Sequence, residues 1–187
     1  QRGAKRCSAA VAYLHPAMER GNIDLKTDVQ ATRILLENGR AVGVEYIDKA
    51  QVHTARAEQE IIISSGAIGS PTLLLRSGIG PADELQALGV TMQHDLPGVG
   101  KNLQDHIDLY SIHELNGPYS YDKHTRPHKQ IAAGLQYLLF KSGPVTSNLA
   151  EAGGFWYADH DQRSPDIQFH FLPGAGLEAG VPPVPSG

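Results

Sequence analysis

The chain has 187 residues, and 41% hydrophobic with 19% charged residues is an ordinary globular balance, which excludes a wholly disordered or collagen-like chain. A formal net charge of -4 excludes a basic field that would draw nucleic acid or an anionic membrane surface. The single cysteine, Cys7, excludes an internal disulfide framework and any multi-thiolate metal site, and reads as a buried small residue.

No charged-then-apolar leader opens the sequence, and no apolar run approaches the roughly 20 residues needed to cross a bilayer. A cytoplasmic chain without a transmembrane segment is expected. Beginning at Gln1 without an initiator methionine, it reads as an excised domain or part of a longer gene.

Residues 8–20 carry Ala9, Val11, Ala12, Leu14 and Met18, which predicts about two helical turns and a bend at Pro16. From Ile23 the pattern changes to short alternations through Leu25, Val29, Ala31, Ile34 and Leu36, the mark of half-buried strands. Glu37-Asn38-Gly39-Arg40 is a hairpin turn, because Asn-Gly tolerates the positive φ that tight hairpins require. Residues 41–46 return as the next strand and 51–57 as a third strand of the meander.

Residues 60–65 contain Ile61, Ile62 and Ile63 in a row, which predicts a strand buried on both faces, as in a parallel sheet. It runs into Gly66-Ala67-Ile68-Gly69-Ser70-Pro71, with Ser70 placed to cap a helix and Pro71 at its first position. That helix ends at Ser77-Gly78-Ile79-Gly80-Pro81; a short helix over 82–88 and a loop over 96–100 follow. Beyond His106 the texture shifts. Residues 107–114 alternate like a strand, 116–127 form a polar, aromatic-bearing loop, and 130–141 a helix. Residues 144–154 read as loop or irregular strand and 166–172 as a strand, before a glycine–proline tail. No internal repeat occurs, and a domain change is placed near residue 106.

A strand that opens through small residues into a helix exposes backbone N–H groups, so the turn at Ser65, Gly66 and Ala67 either accepts a nucleotide-like anion or is a plain connection. Gly78-Ile79-Gly80 follows a helix instead of preceding one, so it is not a dinucleotide fingerprint. Glu151, ahead of Phe155-Trp156-Tyr157, is either a counter-charge for a cationic group assisted by cation–π attraction or a solvated surface carboxylate. Tyr119, Tyr121, His124 and His128 either line a substrate mouth or form a surface loop. His106 and His170 read as structural, and no metal site is expected.

Gly66-Ala67-Ile68-Gly69-Ser70-Pro71-Thr72-Leu73-Leu74-Leu75-Arg76-Ser77-Gly78-Ile79-Gly80-Pro81 resembles the second signature of the glucose–methanol–choline (GMC) flavin oxidoreductases, with Gly69 where the signature usually has Asn. Gly39-Arg40-Ala41-Val42-Gly43-Val44-Glu45-Tyr46 before it and Asp95-Leu96-Pro97-Gly98-Val99-Gly100-Lys101-Asn102-Leu103-Gln104-Asp105-His106 after it are similar to the same family. Glu151-Ala152-Gly153-Gly154-Phe155 and Pro165-Asp166-Ile167-Gln168-Phe169-His170-Phe171 resemble its choline-dehydrogenase-like branch.

The resemblance implies an α/β fold of mixed α+β character. Residues 1–106 would be the central part of an FAD-binding domain, and 107–187 part of an antiparallel-sheet substrate domain. It implies FAD as cofactor, with Ala31 offering backbone contacts to the adenine and Ser65, Gly66 and Ala67 approaching the adenosine side. It implies a small-molecule alcohol as substrate, with Glu151 facing a cationic head group as a glutamate does in choline-oxidising members. The family's pyrophosphate turn and catalytic histidine match nothing in this chain; the turn is expected upstream of Gln1 and the histidine beyond Gly187. The activity implied is hydride transfer from an alcohol CH–OH to flavin, the chain alone being inactive; the alternative is a non-catalytic α+β binding or scaffold module. The identity of the alcohol, the electron acceptor and the oligomeric state stay open.

Overall fold

The computed structural model describes residues 1–113 and 115–174, and the chain divides into two compact units, Asp24–Asp108 and Gln1–Ile23 with Leu109–Gly187. The first unit opens with a three-stranded antiparallel meander, β1 (Gln30–Glu37), β2 (Arg40–Asp48) and β3 (Gln51–Arg56), in that spatial order. Asn38 and Gly39 turn between β1 and β2 with φ of 52° and 77°, the double left-handed geometry that matches the twist of a two-residue hairpin. Lys49 and Ala50 make the second hairpin with φ of 46° and 65°, although neither residue favours it.

The register of β1 against β2 shifts between Ala31 and Arg33, a bulge that leaves Thr32 as the extra residue. Thr32 uses its hydroxyl there, lying 3.1 Å from Glu45 O and 2.7 Å from Glu45 Oε1. The other edge of β1 meets α2 (Gly66–Arg76) through Ser77, whose Oγ accepts the Ile34 N–H at 2.7 Å and donates to Leu73 O at 2.6 Å. Beyond α2, β4 (Ile79–Gly80) pairs in parallel with β5 (His94–Asp95) around α3 (Ala82–Ala87). Ile34, Leu73 and Leu85 are the buried apolar side chains of this unit among the described residues, and Ser77 is buried with them.

The second unit begins with a π-helical turn, Ala10–Leu14, that runs into α1 (His15–Met18). It also contains α4 (Pro127–Phe140), closed by Lys141 at φ 51°, and an antiparallel pair, β6 (Ala152–Trp156) and β7 (Ile167–Phe171). Ala133 is its buried apolar residue among those described.

Mixed helices and antiparallel sheets are the predicted fold class. The meander, the 130–141 helix and the 166–172 strand fall where the sequence placed them. Several expectations do not hold. Ile23 and Leu25 precede β1 and lie exposed outside any strand. Residues 60–65 form no strand, and Ile62 is 77% exposed, so the doubly buried strand is absent. An isoleucine run suits burial, but a strand forms only where a neighbour completes the ladder, and among the described residues none lies alongside.

The same reason applies to 107–113, where Ile107 is 92% exposed and no strand forms; Glu114 and the tail after residue 174 lie outside the described residues. Pro16 does not bend the chain out of the helix; the wider π register just before it takes up the turn in which proline has no N–H to give. α2 starts at Gly66, so Ser70 is not its cap and Pro71 sits inside it. Ser70 serves instead from within, its Oγ accepting the Ser65 N–H at 3.0 Å. Cys7 is half-buried and the His106 side chain is 89% exposed, so neither is a core residue.

Candidate functional site

The predicted residues fall into two groups, one in each unit. Ala31 is exposed at the bulge of β1, the outer strand of the meander, where an edge leaves main-chain groups outside the ladder. Ser65, Gly66 and Ala67 are exposed at the start of α2, whose first N–H groups have no intrahelical acceptor. Gly66 has φ +80°, and a Cβ built there would meet nothing within 4 Å, so its glycine is required by backbone conformation and not by crowding. The Ser77 joint ties together the two elements that carry these residues. An open strand edge and an open, small-residue helix start are compatible with the adenosine end of a dinucleotide. A concavity of about 440 Å³ lies beside the joint, lined by Arg33, Leu35, Arg76, Gly78 and Thr91 among others, and contains none of the four predicted residues.

Glu151, in the second unit, immediately precedes β6. Its N–H donates to Phe171 O at 3.1 Å, at the end of β7. Two residues on, Pro173 O accepts the Tyr121 N–H at 2.6 Å, so Tyr121 and Glu151 hang from the same stretch of chain. The Tyr121 hydroxyl donates to Glu151 Oε1, and Ser147 Oγ donates to the same oxygen at 2.9 Å. Ser147 Oγ in turn accepts the Leu149 N–H at 3.0 Å, and this directs its own proton towards the carboxylate. The Tyr121 hydroxyl, then the Ser147 hydroxyl, hold the Glu151 carboxyl below the ordinary carboxylate range, while the carboxylate raises the Tyr121 phenol.

The aromatic run that follows Glu151 does not gather around it. Ala152, Gly154 and Trp156 share one face of the hairpin with Phe171, Phe169 and Ile167, while Gly153 and Phe155 share the other with His170 and Gln168. Phe155 and Trp156 therefore point to opposite faces, and Trp156 meets His160 edge-on at 6.3 Å. The aromatic residue that reaches Glu151 is Tyr121, from the polar loop. Of its companions, Tyr119 is exposed, His124 lies 6.4 Å from the Tyr121 ring, and His128 is exposed on α4. Ser147 escaped the sequence reading, although its place four residues before Glu151 is a local signal.

Among the described residues no group of three or more His, Cys, Asp or Glu is placed to hold a metal ion, and no helix is long and apolar enough to cross a membrane.

The family described as GMC oxidoreductase matches residues 1–108. The chain is 44% identical over 180 residues to human choline dehydrogenase, mitochondrial, covering 96% of this chain and 30% of that protein. It is 41% identical over 180 residues to oxygen-dependent choline dehydrogenase of Stenotrophomonas maltophilia, covering 96% and 32%. The chain thus spans about a third of the length of these relatives. Among solved structures, an FAD-dependent oxidoreductase from Chaetomium thermophilum superposes with a TM-score of 0.68 at 29% identity, covering 78% of this chain and 26% of that one. A pyridoxine 4-oxidase from Mesorbium loti gives a TM-score of 0.52 at 39% identity, covering 57% and 21%.

Proposed function

The chain belongs to the GMC oxidoreductase family, and on that premise we propose that it forms part of an FAD-dependent enzyme that oxidises the CH–OH group of a small cationic alcohol of the choline class. The observation that carries this reading is the likeness to proteins named choline dehydrogenase across 96% of the chain. A non-catalytic scaffold module is not favoured beside it. Bound FAD would supply the hydride acceptor.

The chain's own residues have two tasks in this reading. Ala31 offers main-chain groups at the edge of β1, and Gly66 and Ala67 offer backbone N–H groups at the start of α2, towards the adenosine end of the cofactor, with Ser65 approaching through its small side chain because its own N–H is held by Ser70 Oγ. Because a main-chain contact is largely indifferent to the side chain, alanine suffices at 31. Glu151 supplies a fixed negative charge for the substrate's cation. The cytoplasmic location is equally a proposal, tested by cell fractionation; the human relative's name places that protein in the mitochondrion.

The test is the full-length gene product purified with its flavin and mixed with choline in the absence of oxygen. Bleaching of the visible flavin band by choline, and none by a tertiary alcohol that lacks an α C–H, is the expected result. A flavin that no primary alcohol reduces would sink the reading.

A further inference from the structure

Among the described residues, the ion-paired glutamates are neutralised by cations. Glu45 meets Arg33 at 2.8 Å, Glu37 meets Arg56 at 2.6 Å, and Glu84 meets Lys101. Glu151 is held differently. Among the described residues no Lys or Arg pairs with it, and the two donors on its carboxylate are the neutral hydroxyls of Tyr121 and Ser147. Neutral donors fix the carboxylate and stabilise its anionic form without cancelling its charge.

The surrounding chain holds that arrangement from several directions. Glu151 and Tyr121 are tied through their own N–H groups to the carbonyls of Phe171, at the end of β7, and Pro173, two residues beyond it, and Ser147 is oriented by the Leu149 N–H.

We propose that Tyr121 and Ser147 are positioning residues that prepare Glu151 for a quaternary ammonium group in particular. This rests on the reading of the chain as part of a cationic-alcohol oxidoreductase and narrows its substrate class. A primary ammonium or a guanidinium brings N–H donors that fill a carboxylate's lone pairs. A quaternary ammonium brings charge and no donor. A carboxylate that approaches it loses water's hydrogen bonds and regains none from the ligand. Two protein hydroxyls already seated on Oε1 offset that loss. The same two hydroxyls would be redundant for an ammonium that donates for itself.

The test uses the full-length, flavin-loaded gene product and two unreactive or slow probes, tetramethylammonium and ethanolammonium, with binding followed by titration calorimetry. Tyr121→Phe is expected to weaken tetramethylammonium binding about three- to tenfold and ethanolammonium binding distinctly less, since the latter can donate to the vacated lone pair. With choline the loss should fall in KM rather than kcat, because the cation is the same in ground and transition states.

Ser147→Ala should act in the same direction, with Ser147→Thr restoring most of the loss; this arm keeps the test valid if Tyr121→Phe fails to fold. Unchanged tetramethylammonium affinity in both hydroxyl variants, or equal losses for the two probes, would overturn the positioning role while leaving flavin reduction by choline intact. A wild-type protein whose flavin is reduced by neutral alcohols alone, and which binds no tetramethylammonium, would instead remove the cationic reading on which the proposal stands.

Discussion

Ser77 and Ile34 are joined by a hydrogen bond from the Ile34 N–H to Ser77 Oγ at 2.7 Å, across 43 residues of sequence, and both residues are buried. The serine also donates to Leu73 O at 2.6 Å, so one hydroxyl ends α2 and fastens it to the edge of β1. Ser77→Ala leaves the Ile34 N–H without its partner in a closed setting. A loss of about 1–3 kcal/mol in urea unfolding of the full-length protein is expected. A loss below a few tenths would mean that water replaces the serine.

The β2–β3 hairpin turns through Lys49 and Ala50, both left-handed. The β1–β2 hairpin makes the equivalent turn with Asn38 and Gly39, which adopt that conformation at little cost. The double substitution K49N/A50G should therefore stabilise the meander, by about 0.5–1 kcal/mol after the added flexibility of the unfolded glycine is deducted. The midpoint of urea unfolding should rise without a change in slope.

Two glycines with similar φ should respond very differently to alanine. A Cβ at Gly39 would meet nothing within 4 Å, whereas one at Gly78 would lie 2.3 Å from Thr91 O, a backbone atom. Gly39→Ala is expected to cost about 1–2 kcal/mol from its left-handed φ alone. Gly78→Ala adds a displacement of the 91–93 segment and should cost at least twice as much. Comparable unfolding midpoints for the two variants would contradict this account.

The Thr32 hydroxyl, then the Arg33 guanidinium, hold the Glu45 carboxyl below its ordinary range. A carboxyl with a depressed folded value adds stability that is complete above the ordinary carboxylate range and is lost as pH falls through the depressed value. Thr32→Val removes the first of these causes. The stability gap between wild type and variant should be widest near neutral pH and close in acid; a gap that grows in acid would reverse the sign.

Local chemistry was legible in the sequence. Asn38-Gly39 marked the first hairpin, alternation marked β1, and the strands β2, β3 and β7 were placed as well. What the sequence could not carry was the partner of each element. Ile61, Ile62 and Ile63 state a preference for burial without naming the strand that would bury them. Ser77 reads as an ordinary helix end until Ile34 arrives from 43 residues away. In the candidate site, Glu151 stood out as a carboxylate before aromatics. The β6–β7 register sends those aromatics to opposite faces, and Tyr121, 30 residues earlier, takes their place. The Lys49-Ala50 turn was missed because neither residue has a turn's usual chemistry, and the pairing of β2 with β3 imposes it.

The central claim is that Glu151 supplies the charge that selects a cationic alcohol. Its most direct test is the ratio of kcat/KM for choline to that for its neutral tert-butyl analogue, 3,3-dimethylbutan-1-ol, in the full-length protein and in Glu151→Gln. The substitution removes the charge and keeps the shape. The account predicts a roughly ten- to thirtyfold fall in that ratio, carried mainly by KM for choline, with the neutral alcohol little affected. Equal losses for both alcohols would contradict it and make Glu151 a structural residue of the β6–β7 hairpin.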